Sequence, residues 1–393
     1  MLSGNSSNRR QAFRQVAARV GLAGGLLLSV PMYASQPPVI PWTSAVSFGG
    51  ISADIGAAIK VDRDGNRYVA GSFSATAYFP TQALPDPRKG GHEVQSASSP
   101  KSLTSGGGTD AFLAKYDESG NMKWLVRAGG PGEDHGYDLA FDGAGNVYVT
   151  GMFTGSATFQ GINGSSQSVT GTANTIFPAK YNASGALAWV QTGMAYGTNQ
   201  GYGVAVDLIT GSVYLTGISQ GDTTFSSSNG TLHSVSGPGT WHMVLAKFDT
   251  GGDFLWGQSN QGSPNTVGDR VAVDLDANVY VTGWMEASTT FHSNDGHDQT
   301  VEGFSEPVQS YPDYPGDAYL VKYDENGNLQ WVNHIGGYKA IATDIASSRD
   351  GKISITGKVT CGAFSDSSSV AAGKRRDFCR LVQQLEFHRI LGR

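Results

Sequence analysis

The sequence predicts an all-β chain: a β-propeller of four-stranded antiparallel blades, about five of them, with an N-terminal closing strand. Three observations carry this. Gly makes up 54 of 393 residues and charged residues only 15%, which disfavours helices because Gly costs about 1 kcal/mol per helix position relative to Ala. Two short blocks of sequence alternate along the chain. Four Trp fall at the same place in successive copies of the second block, at positions 124, 189, 256 and 331, so the repeat is 65 to 75 residues long. That length is too great for β-helix coils and suits propeller blades with an added loop.

Taken in order, residues 1–35 read as a secretory signal peptide. Arg9, Arg10, Arg14 and Arg19 precede an apolar run from Val20 to Ala34 that ends in small residues. The run is shorter than the ~20 residues that span a bilayer, and no later stretch is apolar enough, so no transmembrane segment is expected in the mature chain. Trp42–Gly50 resembles the last strand of a blade with its Gly-Gly exit. It is the expected closing strand, paired with the last blade to remove open edges.

The first block reads Val61-Asp62-Arg63-Asp64-Gly65-Asn66-Arg67-Tyr68-Val69-Ala70-Gly71. It returns around Asp142–Gly151, Asp207–Gly217 and Asp274–Gly283, and faintly at Asp350–Gly357. The second is Asp110-Ala111-Phe112-Leu113-Ala114-Lys115-Tyr116-Asp117, followed by Gly120-Asn121 and Trp124, with copies around Lys180, Lys247 and Lys322. Alternation with a period of two marks each block as two strands, and the Asp-x-x-Gly-Asn segment as a tight turn between them. One blade is therefore an A-B hairpin followed by a C-D hairpin. The units are expected at about 51–130, 131–196, 197–262, 263–337 and 338–382. In the last, Arg376–Val382 stands in the place of a poorly matching C strand, before an atypical basic tail, 383–393. The paired blocks resemble the SBBP-type bacterial β-propeller repeat over residues 42 to about 364. The resemblance implies a propeller fold and a secreted or surface protein, and it implies no particular chemistry.

Residues 36–370 hold 17 basic and 31 acidic residues, a balance that repels phosphate backbones and argues against nucleic-acid partners. Strand order puts the A-B and C-D turns on one face and the loops 74–109, 154–173, 219–239, 286–316 and 360–375 on the other. Long loops on a rigid scaffold are where binding evolves. Candidate ligand-binding residues there are His92, His233, His292, His297, Tyr311 and Tyr314, facing an extracellular protein or glycan. His292–Asp298 could hold a divalent metal or be a solvated loop. Asp62, Asp64 and Asn66 have the spacing of a calcium loop without its Gly and Glu, and their recurrence as turns favours the structural reading. No other cofactor is expected. Cys361 and Cys379 could form a disulfide, and Asn163, Asn182 and Asn229 match glycosylation acceptors but read as turn sequence.

No nucleophile–base motif, haem site or metal-protease motif is present, so no catalytic residue is assigned. The expected function is a secreted or cell-surface, non-enzymatic binding or scaffold module acting through its long-loop face. The alternative is a propeller enzyme of quinoprotein-dehydrogenase-like or hydrolase type.

Overall fold

A computed structural model describes residues 48–82, 99–303, 316–335, 340–348, 351–359 and 386–387. The signal segment, Trp42, His92, Tyr311, Tyr314, Cys361 and Cys379 lie outside the described residues. So does 376–382.

Repeated sequence gives repeated antiparallel meanders. The first blade is β1 (Asp54–Val61), β2 (Arg67–Phe79), β3 (Lys101–Tyr116) and β4 (Met122–Gly129), paired in that order. The second is β5 (His135–Phe141), β6 (Val147–Gln160), β7 (Ser166–Tyr181), β8 (Leu187–Val190) and β9 (Gly193–Met194). The third runs from β10 (Gln200–Val206) and β11 (Val213–Gln220) through a short hairpin, β12 (Thr223–Ser226) and β13 (Leu232–Val235), to β14 (Trp241–Phe248) and β15 (Phe254–Gln261). The fourth has the same plan: β16 (Thr266–Val273), β17 (Val279–Met285), the hairpin β18 (Thr289–Phe291) and β19 (Gln299–Val301), then β20 (Asp317–Tyr323) and β21 (Leu329–Ile335). A fifth A-B hairpin, β22 (Ala340–Ser347) with β23 (Ile353–Val359), pairs with β24 (Glu386–Phe387). The partner of β23 among the described residues thus comes from the basic tail. No described strand pairing joins the first blade to the fifth.

Chemistry at the turns follows the sequence closely. Asp62 accepts from the backbone N–H groups of Asp64 and Asn66 with one carboxylate oxygen, and from the Asn66 amide and the Tyr68 hydroxyl with the other. Asp142 and Asp274 are bonded in the same way to Tyr148 and Tyr280. These donors pull the Asp62 and Asp142 carboxyls below their usual range, although burial opposes them. With both oxygens satisfied internally, the Asp-x-Asp-x-Asn segments are turns. In the third blade the turn is one residue longer, Thr210 takes the Asp207 carboxylate, and the Tyr214 hydroxyl is left buried without a partner.

Each A strand carries a β-bulge at the same register, at Ala57, Tyr137, Tyr202, Asp269 and Thr343. The bulge presses a carbonyl oxygen against the Gly that ends the first block. A Cβ on Gly71, Gly151, Gly217 or Gly283 would lie within 2 Å of the carbonyl of Ile55, His135, Gln200 or Val267. That contact, closer than any real Cβ tolerates, explains why the block ends in Gly.

Candidate functional site

Adjacent blades are joined by a repeated latch. In the first blade the Lys115 ammonium lies 4.9 Å over the Tyr68 ring, and Trp124 packs against that ring at 6.1 Å. The Trp124 indole N–H then donates to the Ala183 carbonyl in the C-D turn of the second blade, at 3.2 Å. Trp189 donates in the same way to Thr250 and Trp256 to Glu325, and there Lys180 and Lys247 add a bond to the same carbonyl. Gly185, Gly252 and Gly327 sit at φ of +87°, +91° and +79° against those indoles, where an added Cβ would lie 2.9 to 3.0 Å from ring carbons. The second block's Lys, Tyr-facing Trp and turn Gly are thus one structural device.

The B-C segments depart from expectation. In the first four blades their described parts are strands, not open loops. In the first two blades β2–β3 and β6–β7 continue outward as long hairpin arms, and in the third and fourth the arms are β12–β13 and β18–β19. Each arm folds back along the outermost strand of the preceding blade: Gly129 pairs with Thr158, Gly193 with Phe225, and Gln261 with Thr290. Gly49 pairs with Tyr78 in the same position, and Gly50 N–H donates to Asp54 as Gly130 does to Asp134. The N-terminal Gly-Gly therefore exits as a final blade strand does, while the expected pairing of its earlier residues with the last blade lies outside the described residues. Each arm plugs in a buried aromatic, Phe79, Phe159, Phe225 or Phe291. At the tips Ser165, Ser227 and Ser293 accept from the backbone of Leu187, Phe254 and Leu329, which fixes each arm to its own blade's C-D turn.

A groove of about 530 Å³ opens between the second and third arms. Its floor exists because Pro178 stands in strand β7 and offers no N–H to the outer strand. Gln191 N–H still donates to the Pro178 carbonyl, but the ladder breaks between β8 and β9, and Gln191 and Thr192 bow out. Ser226 of the third arm ties them down: its hydroxyl donates to Gln191 Oε1 and accepts from the Thr192 N–H, and its backbone N–H donates to the Thr192 carbonyl. Gln167 of the second arm pairs its amide with the Val190 backbone. The lining is Ser, Thr and Gln with Val169, Ala188, Val190 and the Trp189 edge, and it contains no charged side chain.

The sequence-derived candidates that are described lie outside the groove lining, on the third and fourth arms. His233 lies on β13 and stacks on Phe254 at 4.9 Å. His292 and His297 share the tip of the fourth arm, each with its own acid: His292 Nδ1 is 2.8 Å from Asp298, and His297 Nδ1 is 3.2 Å from Asp295. A bond from the Ser293 hydroxyl, with the backbone N–H and imidazole of His297, holds the Asp295 carboxyl down at about 2. Among the described residues no three His, Cys, Asp or Glu converge as a metal-binding set.

The family comparison falls on the latch and the bulge together. Residues 123–152, which run from the Trp124 strand through the β5–β6 hairpin, match the β-propeller repeat model SBBP. The chain carries an SBBP-type β-propeller repeat. This repeat protein is also 24% identical, over 342 residues, to an uncharacterized WD repeat-containing protein of Acanthamoeba polyphaga mimivirus. The match takes in 79% of the chain and 24% of that relative, so the chain spans about a quarter of the relative's length. Among solved structures it is similar to a streptogramin B lyase, at 10% identity and a TM-score of 0.26, over 79% of this chain and 94% of that one. The selenomethionine form of virginiamycin B lyase from Staphylococcus aureus gives 8% identity and the same TM-score, over 79% and 96%.

A signal for the arms was present in the repeat protein's sequence. Ala77-Tyr78-Phe79, Ala157-Thr158-Phe159, Thr223-Thr224-Phe225 and Thr289-Thr290-Phe291 form a third repeated block, each ending in the plugging Phe. The groove had no such signal. It depends on Pro178, a single departure from the repeat.

Proposed function

We propose that this repeat protein is an exported, non-catalytic binding module, and that the groove between its second and third arms holds a neutral saccharide of a cell-surface glycan. The observation that carries this reading is the groove's lining. It offers hydroxyls, amides and small apolar patches without one charge, which suits a polyhydroxylated ligand and leaves a phosphate or an ammonium without a counter-charge. Gln191 lines the groove, and its Nε2 has no acceptor among the described residues, which leaves a donor for a sugar oxygen. Export rests on the Arg-led apolar segment at residues 9–34. The absence of a nucleophile–base pair among the lining residues favours binding over turnover.

The test is a glycan array followed by titration calorimetry, on the wild type and on Thr170→Trp, which fills the groove from an exposed position on the second arm. Retention of neutral oligosaccharides, weakened at least tenfold by the substitution with unchanged melting, is expected. A wild type that retains only charged ligands, or equal binding by both proteins, refutes the assignment.

A further inference from the structure

The blades bury one another face to face by a fixed rule. A residue of each A strand points at the blade before it: Leu139, Val204, Val271 and Ile345 hold that place in the second to fifth blades and are 0%, 3%, 6% and 9% exposed. The residue in the same register of the first blade is Ile59, and it is 63% exposed. Val61, on the same side of β1, is 55% exposed, and Ile55, which lies beyond the bulge and pairs with Ser72, is 56% exposed. An aliphatic face built like the four buried ones is therefore bare.

At the other end of the array the complementary face is bare as well. On the fifth hairpin, Asp344, Ala346, Ser354 and Thr356 stand where earlier blades place the residues that cover the next A strand, and all four are exposed. Their counterparts in the second blade, Asp138, Tyr148 and Thr150, are buried. One end of the array thus presents what the other end is shaped to receive, and among the described residues no strand covers either end.

We propose that the β1 face of the first blade is an interface for a second copy of this chain, seated head to tail through the outer face of that copy's β22–β23 hairpin. The contact continues the rule by which each blade already covers the next. It is heterologous, since two different surfaces meet, and so it builds closed rings or longer arrays rather than twofold dimers. Burial of Ile59 and Val61 supplies the apolar term, and the polar fifth hairpin stays soluble until it is paired.

The test uses the full chain with Cys361 and Cys379 changed to Ser, and two single variants in that background, Ile59→Cys and Thr356→Cys. Their counterparts at an existing blade junction, Leu139 and Ala70, share one apolar core, so head-to-tail seating brings the two thiols within bonding reach. Mixing the variants under mild oxidation should give a covalent heterodimer that neither variant forms alone. In sedimentation, the unsubstituted chain should show at least twice the single-chain mass, and Ile59→Lys should return it to the single-chain mass with melting unchanged. A mixture that fails to cross-link, while the double variant cross-links within one chain, means that the array closes on itself and overturns the proposal. A wild type that sediments as a single chain at every concentration overturns it too. Neither outcome bears on saccharide binding in the groove, so the two proposals fail independently.

Discussion

Removing one latch should cost several kcal/mol. In Trp124→Ala the lost side chain is 3% exposed, and truncating a buried Trp costs about 3–5 kcal/mol through lost transfer energy and the cavity left behind. The indole hydrogen bond to Ala183 contributes about 1 kcal/mol of this, because the freed turn carbonyl can turn to water. The edge contact with Tyr68 contributes roughly 0.5–1.5 kcal/mol. Trp124→Phe keeps a ring and loses the hydrogen bond, so it should cost about 1–2 kcal/mol. Equilibrium urea unfolding of the three proteins, followed by Tyr and Trp fluorescence and by circular dichroism, measures the order wild type, Phe, Ala. A cycle with Gly185→Ala adds a sharper comparison. Its Cβ would sit 2.9 Å from the Trp124 ring, so part of its penalty should vanish once that ring is gone. A loss below about 1 kcal/mol for Trp124→Ala, or full additivity with Gly185→Ala, would refute the latch.

Gly151→Ala should be among the most damaging single-methyl additions, because its Cβ would meet the His135 carbonyl at 1.8 Å. A loss of more than about 2 kcal/mol in the same unfolding assay is expected, against a near-neutral Gly143→Ala, whose Cβ meets nothing within 4 Å. Burial, only partly offset by Arg270, pushes the Asp269 carboxyl up to about 7. The folded state therefore keeps a proton that the unfolded state releases near 4, and this group's contribution to stability falls as pH rises from about 4 to 7. Asp269→Asn should flatten that part of the stability–pH curve and be the more stable protein at pH 8, and an unchanged slope would contradict the buried-acid account.

Much of the fold was legible because it is written locally and repeated. The Asp turn needs only residues within six positions of one another, from Asp62 to Tyr68, so its chemistry is in the sequence. The four Trp were recognisable as structural because they recur in register, although the carbonyls that Trp124, Trp189 and Trp256 meet lie 59, 61 and 69 residues away in the next blade. Strand A was readable only in part. Its bulge at Tyr137 or Tyr202 has no residue signature of its own, and it shows in the sequence only through the Gly that it forces on the neighbouring strand.

The sequence by itself determined what depends on neighbours along the chain: antiparallel hairpins, their turns, the period of the repeat and the SBBP-type pattern. Only the tertiary structure decided what depends on neighbours in space. Segments rich in Ser, Thr and Gly read as loops, yet they fold as arms because the preceding blade presents an unpaired strand edge and a slot for one Phe. Pro178 reads as an ordinary substitution, yet in the middle of a ladder its missing N–H frees Gln191 and Thr192 to floor a groove. Ile59 is written like Leu139 and differs from it in having no blade against it among the described residues, and exposure of that kind is a property of packing that no local pattern encodes.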